Sequence, residues 1–115
     1  MRKLFVLLSL IMMVTGGWCQ SAEERAQRAF QQLDAQRYPE AISAYEQLLE
    51  EGYSSAGLHY NLGLAYYRTE KLGLAMLQME KAKKLAPYDK EVRKNLDLLR
   101  NEQEDGLLPI PTFFL

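Results

Sequence analysis

The sequence predicts an all-α protein made of two stacked helix pairs and one further helix, and three observations carry that reading. Sliding the chain by 34 residues brings Tyr38 onto Leu72, Ala41 onto Ala75, Tyr45 onto Met79 and Leu48 onto Ala82. The segments around these positions, "RYPEAISAYEQLLEEG" and "KLGLAMLQMEKAKKLAP", each follow another helical pattern, so the repeating unit is a pair of helices. No stretch alternates apolar and polar residues strongly enough to suggest a strand.

Taken in order, the first element is not part of the fold. Arg2 and Lys3 precede the 11-residue apolar run "LFVLLSLIMMV", and "TGGWCQ" ends it. This is the layout of a secretory signal peptide over residues 1–19. As a helix the run rises only about 16 Å, short of a bilayer span. Cleavage after Cys19 puts Gly17 and Cys19 at the two small-residue positions. Lipidation of Cys19, as in a bacterial lipoprotein, is the rival reading, with Trp18 an unusual neighbour for it. Export to the periplasm or cell envelope follows from either.

The helix ends are then legible. The first helix runs from about Ala22 to Ala35. Pro39 suits the first turn of the second, where its missing N–H is harmless, and Gly52 suits its stop. Ser54 or Ser55 can cap the third helix, which reaches about Thr69. Pro87 closes the fourth, and Asp89 caps a fifth with Glu91 in its first turn. In that last helix Val92, Leu96 and Leu99 form one apolar stripe, while Lys90, Arg93, Lys94, Asp97, Arg100 and Glu102 cover the other faces. Such a helix closes a stacked array to water.

Composition narrows the function. The chain has 115 residues, a formal charge of −1 and one cysteine. One small domain fits that length, no internal disulfide can form, and the charge excludes a protein that grips nucleic acid through its phosphates. His59 is the only histidine. No carboxylate–histidine cluster suggests a metal, and no glycine-rich phosphate loop appears, so the sequence points to no enzyme and no cofactor. Glu46, Glu50 and Glu51, and Lys81, Lys83 and Lys84, read as solvated helix faces.

In the second repeat Leu62, Gly63, Ala65, Tyr66, Ala75, Met79, Ala82 and Pro87, with Leu72 ahead of the second helix, resemble the pattern of the tetratricopeptide repeat. His59 stands where that pattern prefers tryptophan. The first repeat matches in its second helix, through Tyr38, Ala41, Tyr45 and Leu48; Ala29 stands in for Gly63, and Gln36 replaces the usual turn glycine. That replacement predicts a first hairpin one or two residues out of register. The resemblance implies a short right-handed α-solenoid over residues 20–105: repeats of about 22–54 and 55–88, and a capping helix of about 89–104. Gly63 then needs a reason, because glycine inside a helix costs roughly 1 kcal/mol. Close approach of two helix axes supplies one, with Gly63 and Ala65 facing Ala75 and Ala82.

Arrays of this kind expose a concave groove lined by the second face of each first helix. The matching residues here are Phe30 and Leu33, with Ala26; Tyr60, Leu64, Tyr67 and Arg68; and Lys94 and Leu98, with Asn101. The expected occupant is a hydrophobic or amphipathic protein or peptide, bound as a helix or an extended segment. Gripping of a C-terminal carboxylate, known in part of the family, is not expected: Asn61 fits it, but Ala26 and Phe30 stand where lysine and asparagine belong. Self-coverage of the groove is the bland alternative.

After Asp105 the chain reads "GLLPIPTFFL", too short to span a membrane and barred from helix by Pro109 and Pro111. This tail, residues 106–115, can cover the groove, dock on a partner or membrane, or lead into a longer protein. The leader, the repeats ("SAGLHYNLGLAYYRTEKLGLAM") and the Pro–Phe–Phe–Leu-like ending resemble the aerotolerance-operon tetratricopeptide proteins of the Bacteroides group, whose members generally continue into membrane-spanning helices. Membrane association through the tail or a lipidated Cys19, and self-assembly within an envelope complex, therefore stand beside partner binding.

Overall fold

The computed structural model describes residues 20–106, and its backbone there is five helices joined by tight turns, with no strand among the described residues. They are α1 (Ala22–Asp34), α2 (Tyr38–Glu50), α3 (Ala56–Arg68), α4 (Leu72–Leu85) and α5 (Lys90–Gly106). The leader, residues 1–19, and residues 107–115 of the tail lie outside the described residues, while Gly106, expected in the tail, ends α5. Each helix packs on the next in sequence, α3 against α4 most extensively, and α1 also touches α3. This is an all-α solenoid of two helix pairs with a closing helix.

The helix starts follow the capping residues. Ser21 accepts the Glu24 amide at 3.2 Å, and Glu23 and Glu24 place negative charge at the positive end of α1. Ser55, rather than Ser54, caps α3 by accepting the Leu58 amide at 3.1 Å. Asp89 Oδ1 accepts from the amides of Glu91 (2.9 Å) and Val92 (3.3 Å) at the start of α5. Pro39 lies in the first turn of α2.

The stops share one device. Gln36, Gly52 and Glu70 have φ of 62°, 94° and 62°, and the next residue's amide reaches back five residues. Those bonds are Arg37 to the Gln32 carbonyl (2.8 Å), Tyr53 to Leu48 (3.0 Å) and Lys71 to Tyr66 (2.9 Å). Gln36 and Glu70 are 34 residues apart, so the first hairpin is in register with the second. The expected slip does not occur, because the left-handed turn residue need not be glycine when its two flanking hydrogen bonds hold it there.

The buried residues are the repeat positions. Ala29, Ala41, Tyr45, Leu48, Leu62, Ala65, Tyr66, Ala75, Met79, Leu96 and Leu99 form the core, with Ala82 and Val92 also buried. Gly63 is buried too, and its neighbours match the expectation in part. A Cβ there would lie 3.1 Å from Met79 Cε and 3.3 Å from the Ala75 carbonyl oxygen. The close approach is therefore to Ala75, as expected, through its backbone, and to the side chain of Met79, which the sequence did not point to. Pro87, expected among the packing residues, is exposed in the α4–α5 turn. Its part is to end α4: Ala86 before it is extended at φ −137°, ψ 71°, as a residue preceding proline tends to be.

Candidate binding groove

The residues expected to line the groove come from α1, α3 and α5, and side chains of α5 meet those of α3 there. Tyr60 and Tyr67 lie two turns apart on α3. The Asn95 amide donates to the Tyr60 hydroxyl at 2.9 Å, and the Tyr67 hydroxyl donates to Glu102 Oε1 at 2.6 Å. Asn95 also donates to the Glu91 carbonyl oxygen one turn back, which fixes its side chain under Tyr60. Both cross-helix pairs are separated by 35 residues. Asn95 was not singled out from the sequence and Glu102 was expected only on a solvated face; the repeat period carried one residue further is the signal that finds them.

These contacts set the electrostatics. Burial, then the charges of Glu91 and Asp89, push the Tyr60 pKa up, with the Asn95 hydrogen bond opposing. The Tyr67 pKa is raised chiefly by its hydrogen bond to Glu102. Both hydroxyls are thus protonated at neutral pH and beside acidic groups. The face carries mixed charge, since Lys94 and Arg68 are exposed near the same helices.

The predicted groove residues fall into three groups. Phe30 and Leu98, each about half exposed, and Tyr67 stand open to solvent. Leu33, Tyr60 and Leu64 are only partly buried and lean on the core, so they are walls more than contact tips. Tyr67 and Arg68 share one cleft with Glu70, Leu72 and Glu102, whereas Lys94 and Leu98 line another along α5 with Lys90, Arg93, Asp97 and Asn101. A third cleft of about 410 Å³, not anticipated, opens between the N-terminal ends of α1 and α3. Ala26, Gly57, Leu58 and Asn61 wall it, and Tyr45 and Leu48 of α2 form its floor. The Tyr45 hydroxyl is buried there with no hydrogen bond of ordinary geometry. Burial pushes its pKa up, with nearby Asn61 opposing.

His59 is placed for structure. It is 5 % exposed, with Nδ1 2.7 Å from Gln78 Oε1 and Nε2 2.8 Å from Ser54 Oγ. The Gln78 carbonyl oxygen can only accept, so Nδ1 donates to it. Both ring nitrogens are used in packing. Among the described residues no group of histidine, cysteine, aspartate and glutamate could hold a metal, and no helix is long and apolar enough to cross a membrane.

Comparison with known proteins bears on the same region. Residues 31–90 match the family model described as tetratricopeptide repeat. The match opens inside α1 and closes at the start of α5, which leaves out the N-terminal part of α1 where the repeat pattern is weakest. No curated protein matches the chain. With just over half of its length matched, and with two helix pairs in 34-residue register, the chain belongs to the tetratricopeptide repeat family.

Proposed function

We propose that this chain is a non-catalytic module that binds a protein or peptide partner along its concave face, within a complex of the bacterial cell envelope. Tetratricopeptide repeats are generally scaffolds for protein–protein interaction, and that family membership is the observation carrying the reading. The open Phe30, Tyr67 and Leu98 side chains, with tyrosine hydroxyls beside acids and Arg68 and Lys94 near them, support it. Rigid aromatic rings with a polar tip are the side chains that binding surfaces use most. The basic start and short apolar run of residues 1–19 support export, with cleavage after Cys19.

Self-assembly is the second reading, favoured by one observation. From Glu23 to Glu51 acids outnumber bases, and from Glu80 to Arg100 bases outnumber acids, a bias that favours head-to-tail contact. The aerotolerance-type resemblance adds a variant in which this chain is the N-terminal part of a longer membrane-anchored protein.

A cross-linking pull-down from the cell envelope tests the main reading. Tyr60 leans on the core, so the matched variant is Phe30→Ala/Tyr67→Ala, which alters open side chains and leaves the packing intact. A partner captured by the parent and lost by the variant supports the groove. The same proteins with both would refute it, and a mass that rises with concentration would favour self-assembly.

A further inference from the structure

The outer face of α4 carries an apolar stripe that the groove does not use. Leu74, Leu77 and Leu85 are 44 %, 48 % and 55 % exposed, and Tyr88 just beyond the helix is 90 % exposed. Positions 74, 77, 81 and 85 follow helical spacing and share one face, with Lys81 in its middle. The equivalent positions of the first repeat, 34 residues earlier, are Glu40, Ser43, Gln47 and Glu51, all polar. The fold therefore does not require leucines there.

Nothing among the described residues covers the stripe. The buried face of α4 is Ala75, Gln78, Met79 and Ala82, turned to α3, and Glu80 pairs with Arg100 of α5 at 2.6 Å. Both helix neighbours of α4 thus lie on its other faces, and no second helix flanks the stripe to make the groove that a helical partner needs. A second copy of the chain is disfavoured as well. Two antiparallel stripes related by a twofold would bring Lys81 against Lys81 at the centre.

Charge points to the occupant. Residues 71–88 hold four basic side chains (Lys71, Lys81, Lys83, Lys84) against one acid, Glu80. That acid is paired with Arg100 of α5. Residues 38–51 hold four acids and no base. Leucines and a tyrosine interleaved with lysines are the composition of a helix face that lies in a lipid headgroup layer. The apolar tips enter the acyl boundary, and lysine stems reach back to the phosphates.

We propose that the outer face of α4 is a docking surface for an anionic lipid bilayer: Leu74, Leu77, Leu85 and Tyr88 enter the interface and Lys71, Lys81 and Lys84 meet the headgroups. The first repeat, with its acidic α2, is held away from the membrane. This surface is separate from the concave face and stands whether or not the groove reading does.

The test places an environment-sensitive fluorophore on the full chain carrying Cys19→Ser and either Leu77→Cys or Ser43→Cys, the same position in the two repeats. Vesicles are phosphatidylcholine alone or with about a third phosphatidylglycerol. The expected result is a blue shift at position 77 with the anionic vesicles, none at 43, and none with phosphatidylcholine alone. Lys81→Glu/Lys84→Glu abolishes the shift, and raising salt weakens it on the order of tenfold as the charges are screened. Circular dichroism of each labelled chain shows that the helices are intact. No shift at 77 overturns the proposal, whether or not the chain sediments with vesicles through its apolar ends. Equal shifts at 77 and 43, or equal shifts with and without phosphatidylglycerol, also overturn it.

Discussion

The two repeats share a backbone register and a turn device, yet equivalent positions on their first helices do opposite work. In α3, His59, Leu62 and Tyr66 face inward. His59 is held by Gln78 and Ser54, Leu62 is fully buried, and the Tyr66 hydroxyl donates to Glu46 of α2. In α1 the same positions are Arg25, Arg28 and Gln32. They line an open cleft with Pro39, Glu40, Ser43 and Gln47 of α2, and Arg25 pairs with Glu51 near the surface. The difference is a neighbour. The second repeat has α2 on one side and α5 on the other, whereas among the described residues no helix precedes α1. Repeat residues are demanded by what stacks against them, and a terminal repeat is free to be polar.

The largest expected effect breaks that comparison directly. Leu62→Ala removes a fully buried side chain between two neighbours and should cost about 3 kcal/mol, whereas Arg28→Ala at the equivalent edge position should stay within about 0.5 kcal/mol. Urea unfolding of both variants checks it, and equal losses would mean that α1 is not an edge.

Next is Gly63→Leu, which forces a side chain into the space held by Met79 and the Ala75 carbonyl. The expected loss is about 2–3 kcal/mol, well beyond any gain in helix propensity. An unchanged thermal midpoint would remove the close-packing account of that glycine.

A smaller effect is expected at Tyr66, where burial, then the Glu46 hydrogen bond and charge, raise the hydroxyl pKa. Tyr66→Phe should cost about 1 kcal/mol at neutral pH. The sign of the pH effect follows from the raised value. The contribution is fully present below the ordinary tyrosine value and is lost as pH climbs through the folded one. The parent should therefore lose stability in strongly alkaline solution, and the variant should lose less over the same window. Parallel curves from chemical denaturation at stepped pH would contradict the assignment.

Smallest, and opposite in sign, are Gln36→Gly and Glu70→Gly. Both residues hold positive φ, where glycine carries no steric penalty, so each substitution should stabilise by about 0.5–1 kcal/mol. Equal gains at the two sites sharpen the comparison, since they show that the hairpins are equivalent even though the faces are not.

These contrasts also mark how far the sequence could be read. The second repeat was legible nearly to the residue because its packing partners, Leu62, Ala65, Tyr66, Ala75 and Met79, lie inside one 34-residue unit. The stripe of Val92, Leu96 and Leu99 was legible for the same reason, as a period within one helix. Of the neighbours of Gly63, Ala75 was legible and Met79 was not, since spacing along two helices does not fix which turns meet. Gln36 suggested a slipped turn because residue type stood in for the backbone hydrogen bonds that hold its positive φ. The contacts of Asn95 and Glu102 with the tyrosines of α3 were not legible, because they cross helices and depend on how α5 is rotated. Leu33 and Leu64 sit at the border between two helical faces, and periodicity alone cannot divide them between wall and groove. Lys81, Lys83 and Lys84 were read as a solvated face without asking what Leu74, Leu77 and Leu85 do between them.

Whether the partner binds on the concave face can be read by site-specific photo-cross-linking in intact cells. A photoreactive residue is placed in turn at Phe30, Tyr67, Ser43 and Leu77, which sample the concave face, the α1–α2 edge and the outer face of α4. The account predicts protein adducts of one common mass from positions 30 and 67 and none of that mass from 43 or 77. Protein adducts from 43 or 77, with none from 30 and 67, would contradict it.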